Sequence, residues 1–126
     1  MKIKTAELLG PALDWAVAKL EEEHDKRLTV IRREDHIGHP IERETESGSY
    51  AYEWWAPSRI WAQGGPIIER EGIELKRSLV APFVWAAFAF RSPRAHCTGP
   101  APLIAAMRCF VASKLGDEVE IPEELL

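Results

Sequence analysis

The sequence is poor in the features that mark several specialised protein classes. Its 126 residues include two cysteines, Cys97 and Cys109, which favours free thiols in a reducing compartment over a disulfide framework. The longest apolar run, residues 79–90, contains Pro82 and is too short to span a bilayer. No secretory signal precedes the first predicted helix. We therefore expect a cytoplasmic protein that does not have a membrane as its partner.

Positive charge is also scarce. The chain has 16 Lys and Arg against 20 Asp and Glu, a formal net charge of -4. A general nucleic-acid binder needs an excess of clustered cations to displace counterions from phosphates, so non-specific nucleic-acid binding is not expected. A small anionic ligand remains compatible with this charge, because a local pocket can be positive on an acidic protein.

Length and composition indicate one folded domain, residues 1–126. Hydrophobic residues make up 46% and charged residues 29%, as in ordinary globular proteins. A helix is predicted from Pro11 to about His24, and another from Pro100 or Pro102 to Leu115, because apolar residues recur there at helical spacing. A shorter helix is predicted for residues 66–71, closed by a glycine.

Strands are predicted where the pattern alternates or is apolar throughout, at residues 26–33, 73–79 and 83–90. Residues 36–49 are interpreted as a loop or an insertion, and residues 91–99 as a loop. The acidic tail, residues 117–126, has a pattern compatible with a short strand. These elements predict an α+β fold, in which a three-stranded, mostly antiparallel sheet packs with two long helices and one short helix.

The middle of the chain is rich in aromatic residues. Tyr50, Tyr52, Trp54, Trp55 and Trp61 precede a Gln-Gly-Gly sequence at 63–65. Flat rings can stack on planar ligands, at ~1–3 kcal/mol for each stacked base. The alternative is that these rings fill the core. All five are hard to bury in a domain of this size, so we expect at least one ring on a binding surface.

Glycine-proline pairs stand at three predicted helix starts, at residues 10–11, 65–66 and 99–100. Glycine offers no side-chain oxygen to the first-turn N–H groups, which are then left to water, to a neighbouring side chain or to an anion. The alternative is three rigid helix starts with no ligand. Gly64-Gly65 is the pair most suggestive of a ligand, because it is doubled and adjoins Trp61 and Gln63.

Other chemistry is weakly indicated. Arg59 and Arg108 could balance a phosphate, although for each residue taken alone an ordinary surface arginine is the favoured interpretation. The groups Asp35, His36 and His39, and His96 with Cys97, lack the paired spacing of zinc ligands, so no metal is predicted. Nothing ties Cys97 or Ser58 to a histidine base and an orienting carboxylate. The sequence predicts no catalytic residue and no cofactor.

Three blocks carry a family resemblance: KTAELLGPALDWAVAK, PSRIWAQGGPIIEREGI and GPAPLIAAMRCFVASKLGDEVEIPEEL. Together they resemble the NinX-like family of small proteins of unknown function from tailed bacteriophages and prophages. Residues 21–54 and 76–98 lie outside the resemblance. The family pattern that this resemblance implies usually has an acidic residue at the position of Ile60, so any role that requires a carboxylate there is not expected of this chain. The resemblance implies an accessory protein acting inside an infected bacterium, a setting in which host-takeover and counter-defence factors are common.

The leading hypothesis is a non-enzymatic protein that binds a small anionic ligand containing a ring, such as a nucleotide immune signal of the host. A protein-interaction module, acting on a host protein or forming a homo-oligomer, is the second hypothesis, and an enzyme with a dispersed site is the third. The residues assigned to the ligand are Asp14, Trp15, Trp55, Ser58, Arg59, Trp61, Gln63, Gly64, Gly65 and Arg108.

Overall fold

The structure, a computed structural model, describes residues 1–30, 41–78, 84–90 and 94–126, with only the backbone of Tyr50 and Tyr52. In chain order the helices and strands are β1 (Lys2–Lys4), α1 (Gly10–His24), β2 (Leu28–Val30), β3 (Ile41–Glu44), β4 (Tyr50–Glu53), α2 (Trp61–Glu71), β5 (Glu74–Arg77), β6 (Trp85–Ala89), β7 (Ala95–Gly99), α3 (Pro102–Leu115) and β8 (Glu118–Glu120). Single 3-10 turns lie at Thr5–Glu7 and Glu123–Leu125. The α+β prediction is confirmed.

The strands form three antiparallel sheets within the described residues. One sheet has the order β5-β6-β7 and a second has the order β2-β3-β4, while β1 and β8 make a two-stranded ribbon. The fold is thus built on more strands than the three predicted. The predicted strand at 26–33 is described as far as Val30.

Two of the additional strands lie in stretches that were predicted to be loops, and both predictions are wrong there. Within 36–49, Ile41–Glu44 is β3, and within 91–99, Ala95–Gly99 is β7. In each strand only one face is buried, so a single inward residue such as Ile41 or Cys97 alternates with polar neighbours. The surrounding glycines and prolines hid that short alternation in the sequence.

Helix α3 lies at the centre of the fold, between the β5-β6-β7 sheet and α1. Most of its side chains are buried around its whole circumference, from Leu103 to Val111. Alanines on both partners, such as Ala87 of β6 and Ala106 of α3, allow the helix to approach the sheet closely. The two long predicted helices are therefore present, and α3 starts at the second of its two proposed prolines.

Helix α2 begins at Trp61 rather than at Pro66, so its predicted start is wrong. Ile60 is the N-cap residue, and Gly72, with φ 66°, ends the helix as predicted. Pro66 lies inside the helix, where it removes one backbone donor. Gly64 and Gly65 before the proline suggest that no helix covers this part of the sequence, yet both residues lie within the first turns of α2.

Candidate functional site

The segment between β4 and α2 is held against α1 by Asp14. Trp55 Nε1 donates a hydrogen bond to the Asp14 carbonyl oxygen at 3.0 Å, and the Ser58 amide donates to Asp14 Oδ1 at 2.9 Å. Trp55 is only 4% exposed. This corrects the expected stacking role of Trp55, because its indole packs in the core and offers no free face to a ligand.

Asp14 and Ser58 form a buried polar pair whose hydrogen-bonding capacity is not filled. Asp14 Oδ2 and Ser58 Oγ are both inaccessible to solvent and have no hydrogen-bond partner among the described residues. Burial raises the pKa of the Asp14 carboxyl, while the hydrogen bond from the Ser58 amide and the positive charge of Arg59 act to lower it. A buried carboxyl oxygen and a hydroxyl without partners are able to receive a polar group from a ligand or a water.

Gln63 closes the same segment from the helix side. Its Oε1 accepts a hydrogen bond from the Ala56 amide at 2.7 Å, and its Nε2 donates to the Trp54 carbonyl oxygen and to Glu53 Oε1. Gln63 is the third residue of α2, the position from which a side chain reaches back over the helix start. Its polar edge, which was expected to bond a ligand, is occupied within the protein.

The two neighbouring glycines have different surroundings. A Cβ on Gly64 would lie 2.5 Å from the Pro57 carbonyl oxygen and 2.7 Å from Leu103 Cδ2, whereas one on Gly65 would have nothing within 4 Å. The Gly64 amide donates to the Ile60 carbonyl oxygen at 3.0 Å. We therefore assign Gly64 to the packing of α2 on α3, in place of the phosphate contact expected of its amide.

Trp61 is a predicted stacking ring that does reach the surface. Its side chain is 55% exposed, at the first residue of α2. The amides of Trp61 and Ala62 have no hydrogen-bond partner among the described residues. An acidic residue at the position of Ile60, as the family resemblance implies, would cap this helix, but isoleucine cannot accept a hydrogen bond. The helix start is therefore open beside an exposed indole.

The remaining predicted residues divide into one exposed cation and two packed side chains. Arg59 is exposed, next to Ser58. Trp15 is half-buried and packs against the core. Arg108 is 8% exposed and donates from Nε to the Leu8 carbonyl oxygen at 2.8 Å and from Nη1 to the Thr98 carbonyl oxygen at 2.9 Å. Desolvation lowers the pKa of Arg108. Arg108 thereby connects the residues that precede α1 with those that precede α3. Its position at the margin of an apolar stripe in the sequence did not indicate this role.

A cleft of about 260 Å³ lies where the C-terminal ends of α1, α2 and α3 meet. Three of its charged residues form ion pairs: Arg70 pairs with Glu71 and with the neighbouring Glu21, and Lys114 Nζ lies 2.9 Å from Glu71 Oε1. The guanidinium of Arg70 also lies 5.7 Å from the centroid of the Phe110 ring. We therefore assign these ion pairs and this cation–π contact to holding the C-terminal ends of the helices together.

Among residues 1–30, 41–78, 84–90 and 94–126, no group of three or more His, Cys, Asp or Glu side chains is arranged to hold a metal ion. Asp35, His36 and His39 lie outside the described residues. No helix among those described has the length and apolar character needed to cross a membrane.

The model of a protein family described as Bacteriophage P22, NinX, matches residues 4–114, a range that includes α1, residues 54–60, α2 and most of α3. No curated protein matches the chain.

Proposed function

Since the chain belongs to the bacteriophage P22 NinX family and is thereby a phage accessory protein, we propose that it binds a small anionic ligand containing a flat ring, without transforming it. The observation that carries the proposal is the exposed Trp61 indole at the open start of α2. An exposed indole is a stacking surface for a ring, and free first-turn amides with the positive end of a helix dipole attract an anion.

Two further groups support the proposal. Arg59 supplies a positive charge two residues before Trp61. Beneath this segment, Asp14 Oδ2 and Ser58 Oγ are closed to solvent and have no partner among the described residues, so they would accept a hydrogen bond from a ligand hydroxyl or amine once the segment moves outward. A ring, an anion and hydroxyl groups occur together in nucleotides. We therefore propose nucleotides as the ligand class, and sequestration of a nucleotide immune signal of the bacterial host as the purpose.

The test is calorimetric titration and thermal shift with a panel of nucleotides that includes ADP-ribose and cyclic dinucleotides. Trp61→Ala should weaken binding about tenfold or more, because one stacked ring is lost, and Arg59→Gln should weaken it as well. Leu115→Ala is the matched control, since Leu115 is an exposed apolar residue at the far end of α3, 46% exposed. No response to any nucleotide at millimolar concentration, or equal binding by Trp61→Ala, would refute the proposal. Turnover of a bound nucleotide would favour the enzymatic alternative.

A protein partner is the second candidate function. Trp54 is 44% exposed and Trp61 is 55% exposed, so an exposed indole lies at each end of the connection between β4 and α2. Exposed tryptophans are frequent hot spots of protein interfaces. In this case Trp61→Ala should dissociate a homo-oligomer on sizing, or abolish capture of a host protein, and nucleotides should have no effect on the wild type.

A further inference from the structure

The outer face of the β5-β6-β7 sheet carries a row of aromatic rings. On β6, Ala87 and Ala89 are buried toward α3, so the alternating Phe88 lies on the opposite face, followed by Phe90, which is 57% exposed. Strand pairing sets Phe88 opposite His96 of β7. The Phe88 and His96 ring centroids lie 4.5 Å apart with planes within 1°, and those of Phe88 and Phe90 lie 6.1 Å apart with planes within 12°. We call Phe90, Phe88 and His96 the ring row.

Cations flank the ring row on both sides. On the β5 side, Lys76 Nζ lies 6.0 Å from the Phe88 ring centroid, and Lys76 also pairs with Glu74 at 3.3 Å. On the β7 side, Arg94 directly precedes the strand and is exposed. These two cations against one carboxylate give this face a positive balance, although the whole chain has a net charge of -4.

The ring row is not explained by packing in the core. Phe90 and His96 are exposed, and the buried face of the same sheet already contacts α3 through small residues such as Ala87 and Ala89. His96 covers one face of Phe88, and Lys76 lies near the same ring, so the rings most accessible to a ligand are Phe90 and His96. A flat group is able to stack on either of these two exposed rings.

We propose that this sheet face binds a short stretch of single-stranded nucleic acid. Bases would stack on the open faces of His96 and Phe90, and Lys76 and Arg94 would meet the flanking phosphates. Open sheets with aromatic side chains two residues apart on a central strand suit this task, because every base has a flat face and the phosphates need only a few cations. A second copy of the chain fits less well, because it would bring the same cations to the same surface.

This inference does not rest on the nucleotide proposal, which concerns Trp61 on α2. Because Lys76 and Arg94 are the only cations assigned to phosphates, we expect a low affinity for single-stranded nucleic acid that declines further with added salt. The sequence-based expectation that non-specific nucleic acid is not a partner was drawn from net charge, and the local charge of this face departs from that average.

The test is fluorescence anisotropy with fluorescein-labelled oligothymidylate and oligouridylate of about eight nucleotides, a length within the usual site sizes, in low-salt buffer. His96→Ala and Phe90→Ala should each weaken binding roughly tenfold, and Lys76→Gln should flatten the salt dependence. The matched control is again Leu115→Ala. Denaturation midpoints of all variants identify any that fail to fold, and both ring variants alter exposed side chains.

Three outcomes would overturn the inference. The first is no rise in anisotropy at the highest soluble protein concentration. The second is wild-type affinity in folded His96→Ala and Phe90→Ala. The third is a dimer of the wild type that both variants dissociate while the oligonucleotides have no effect, which would make this face an interface between copies. Leu115→Ala should bind the oligonucleotides as the wild type does, and excess ADP-ribose should not displace them from the sheet face, so failure of the nucleotide proposal remains distinguishable.

Discussion

Replacing the buried carboxyl by an amide, Asp14→Asn, is expected to stabilise the fold at neutral pH. The asparagine keeps Oδ1, which accepts from the Ser58 amide, and supplies an NH2 group where Oδ2 has no partner. That NH2 group is then able to donate to the Ser58 hydroxyl, which also lacks a partner. The change removes a buried negative charge without changing the size of the side chain, and the Asp14 backbone carbonyl that accepts from Trp55 is unaffected.

The gain is expected to be about 1–2 kcal/mol in the free energy of unfolding, since a buried unsatisfied polar group costs roughly 1–3 kcal/mol. Its pH dependence has a definite sign. Burial raises the Asp14 pKa above its usual 3.8, so the folded state holds the proton to higher pH than the unfolded state does. The wild type therefore loses stability as the pH rises from about 4 through the folded-state pKa, and Asp14→Asn does not.

The measurement is urea denaturation of wild type and Asp14→Asn across the range from acid to neutral pH. The two proteins should be nearly equal at the acid end, and their difference should grow until Asp14 is ionised in the folded state. Glu118→Gln is the control, because Glu118 is exposed and should give a difference close to zero at every pH. If Asp14 receives a ligand group, the stabilised variant should also lose affinity for the nucleotide that the wild type binds.

Two results would refute the reasoning. A variant less stable than the wild type at neutral pH would mean that the carboxylate has a partner that asparagine cannot replace. A stability difference that does not change with pH would mean that Asp14 titrates normally despite its burial. Either result would also remove the polar subsite from the nucleotide proposal, while the role of Trp61 would stand on its own test.

Two other predictions concern packing and thiol chemistry. Gly64→Ala should destabilise the fold by roughly 1–3 kcal/mol because its Cβ would overlap backbone, whereas Gly65→Ala should stabilise it by up to about 1 kcal/mol as a helix-favouring change in open space; urea midpoints check both, and equal effects would contradict the packing. Burial raises the pKa of the Cys109 thiol to about 12 and that of the Cys97 thiol as well, so neither should react with a thiol reagent at mildly alkaline pH until the protein is unfolded in urea. Rapid labelling of the native protein at either cysteine would contradict the burial.

The sequence predicts the elements that have a long hydrophobic period. Helices α1 and α3 and strand β6 were found because their apolar residues repeat over several turns or form a continuous run. Strands β3 and β7 were missed because each is short and buries one face, so most of their residues are polar. The start of α2 was misplaced because Gly64 looks like a break, whereas its missing Cβ is what allows α2 to reach Pro57 and Leu103.

The sequence pattern was also unable to predict which side chains of the candidate site are exposed. The sequence pattern does not distinguish Trp55 from Trp61, yet Trp55 is 4% exposed and Trp61 is 55% exposed. The difference depends on Asp14, which is far from both in sequence and holds Trp55 and Ser58 through hydrogen bonds. Local pattern carries no information about such distant contacts. The sequence pattern placed Trp61 and Arg59 in the candidate binding segment without distinguishing Trp61 from Trp55, and the nucleotide experiment tests their binding role.

The ribbon of β1 and β8 has a consequence for the order of folding. Met1 and Glu120 are 119 residues apart in sequence, and the Met1 amine lies 2.6 Å from Glu120 Oε1. During synthesis β1 has no partner until β8 has left the ribosome, whereas α1 and the β5-β6-β7 sheet can assemble earlier. The pairing of β1 with β8 is therefore expected to follow that of the two three-stranded sheets, and its hydrogen-exchange protection would report that β8 has joined the fold.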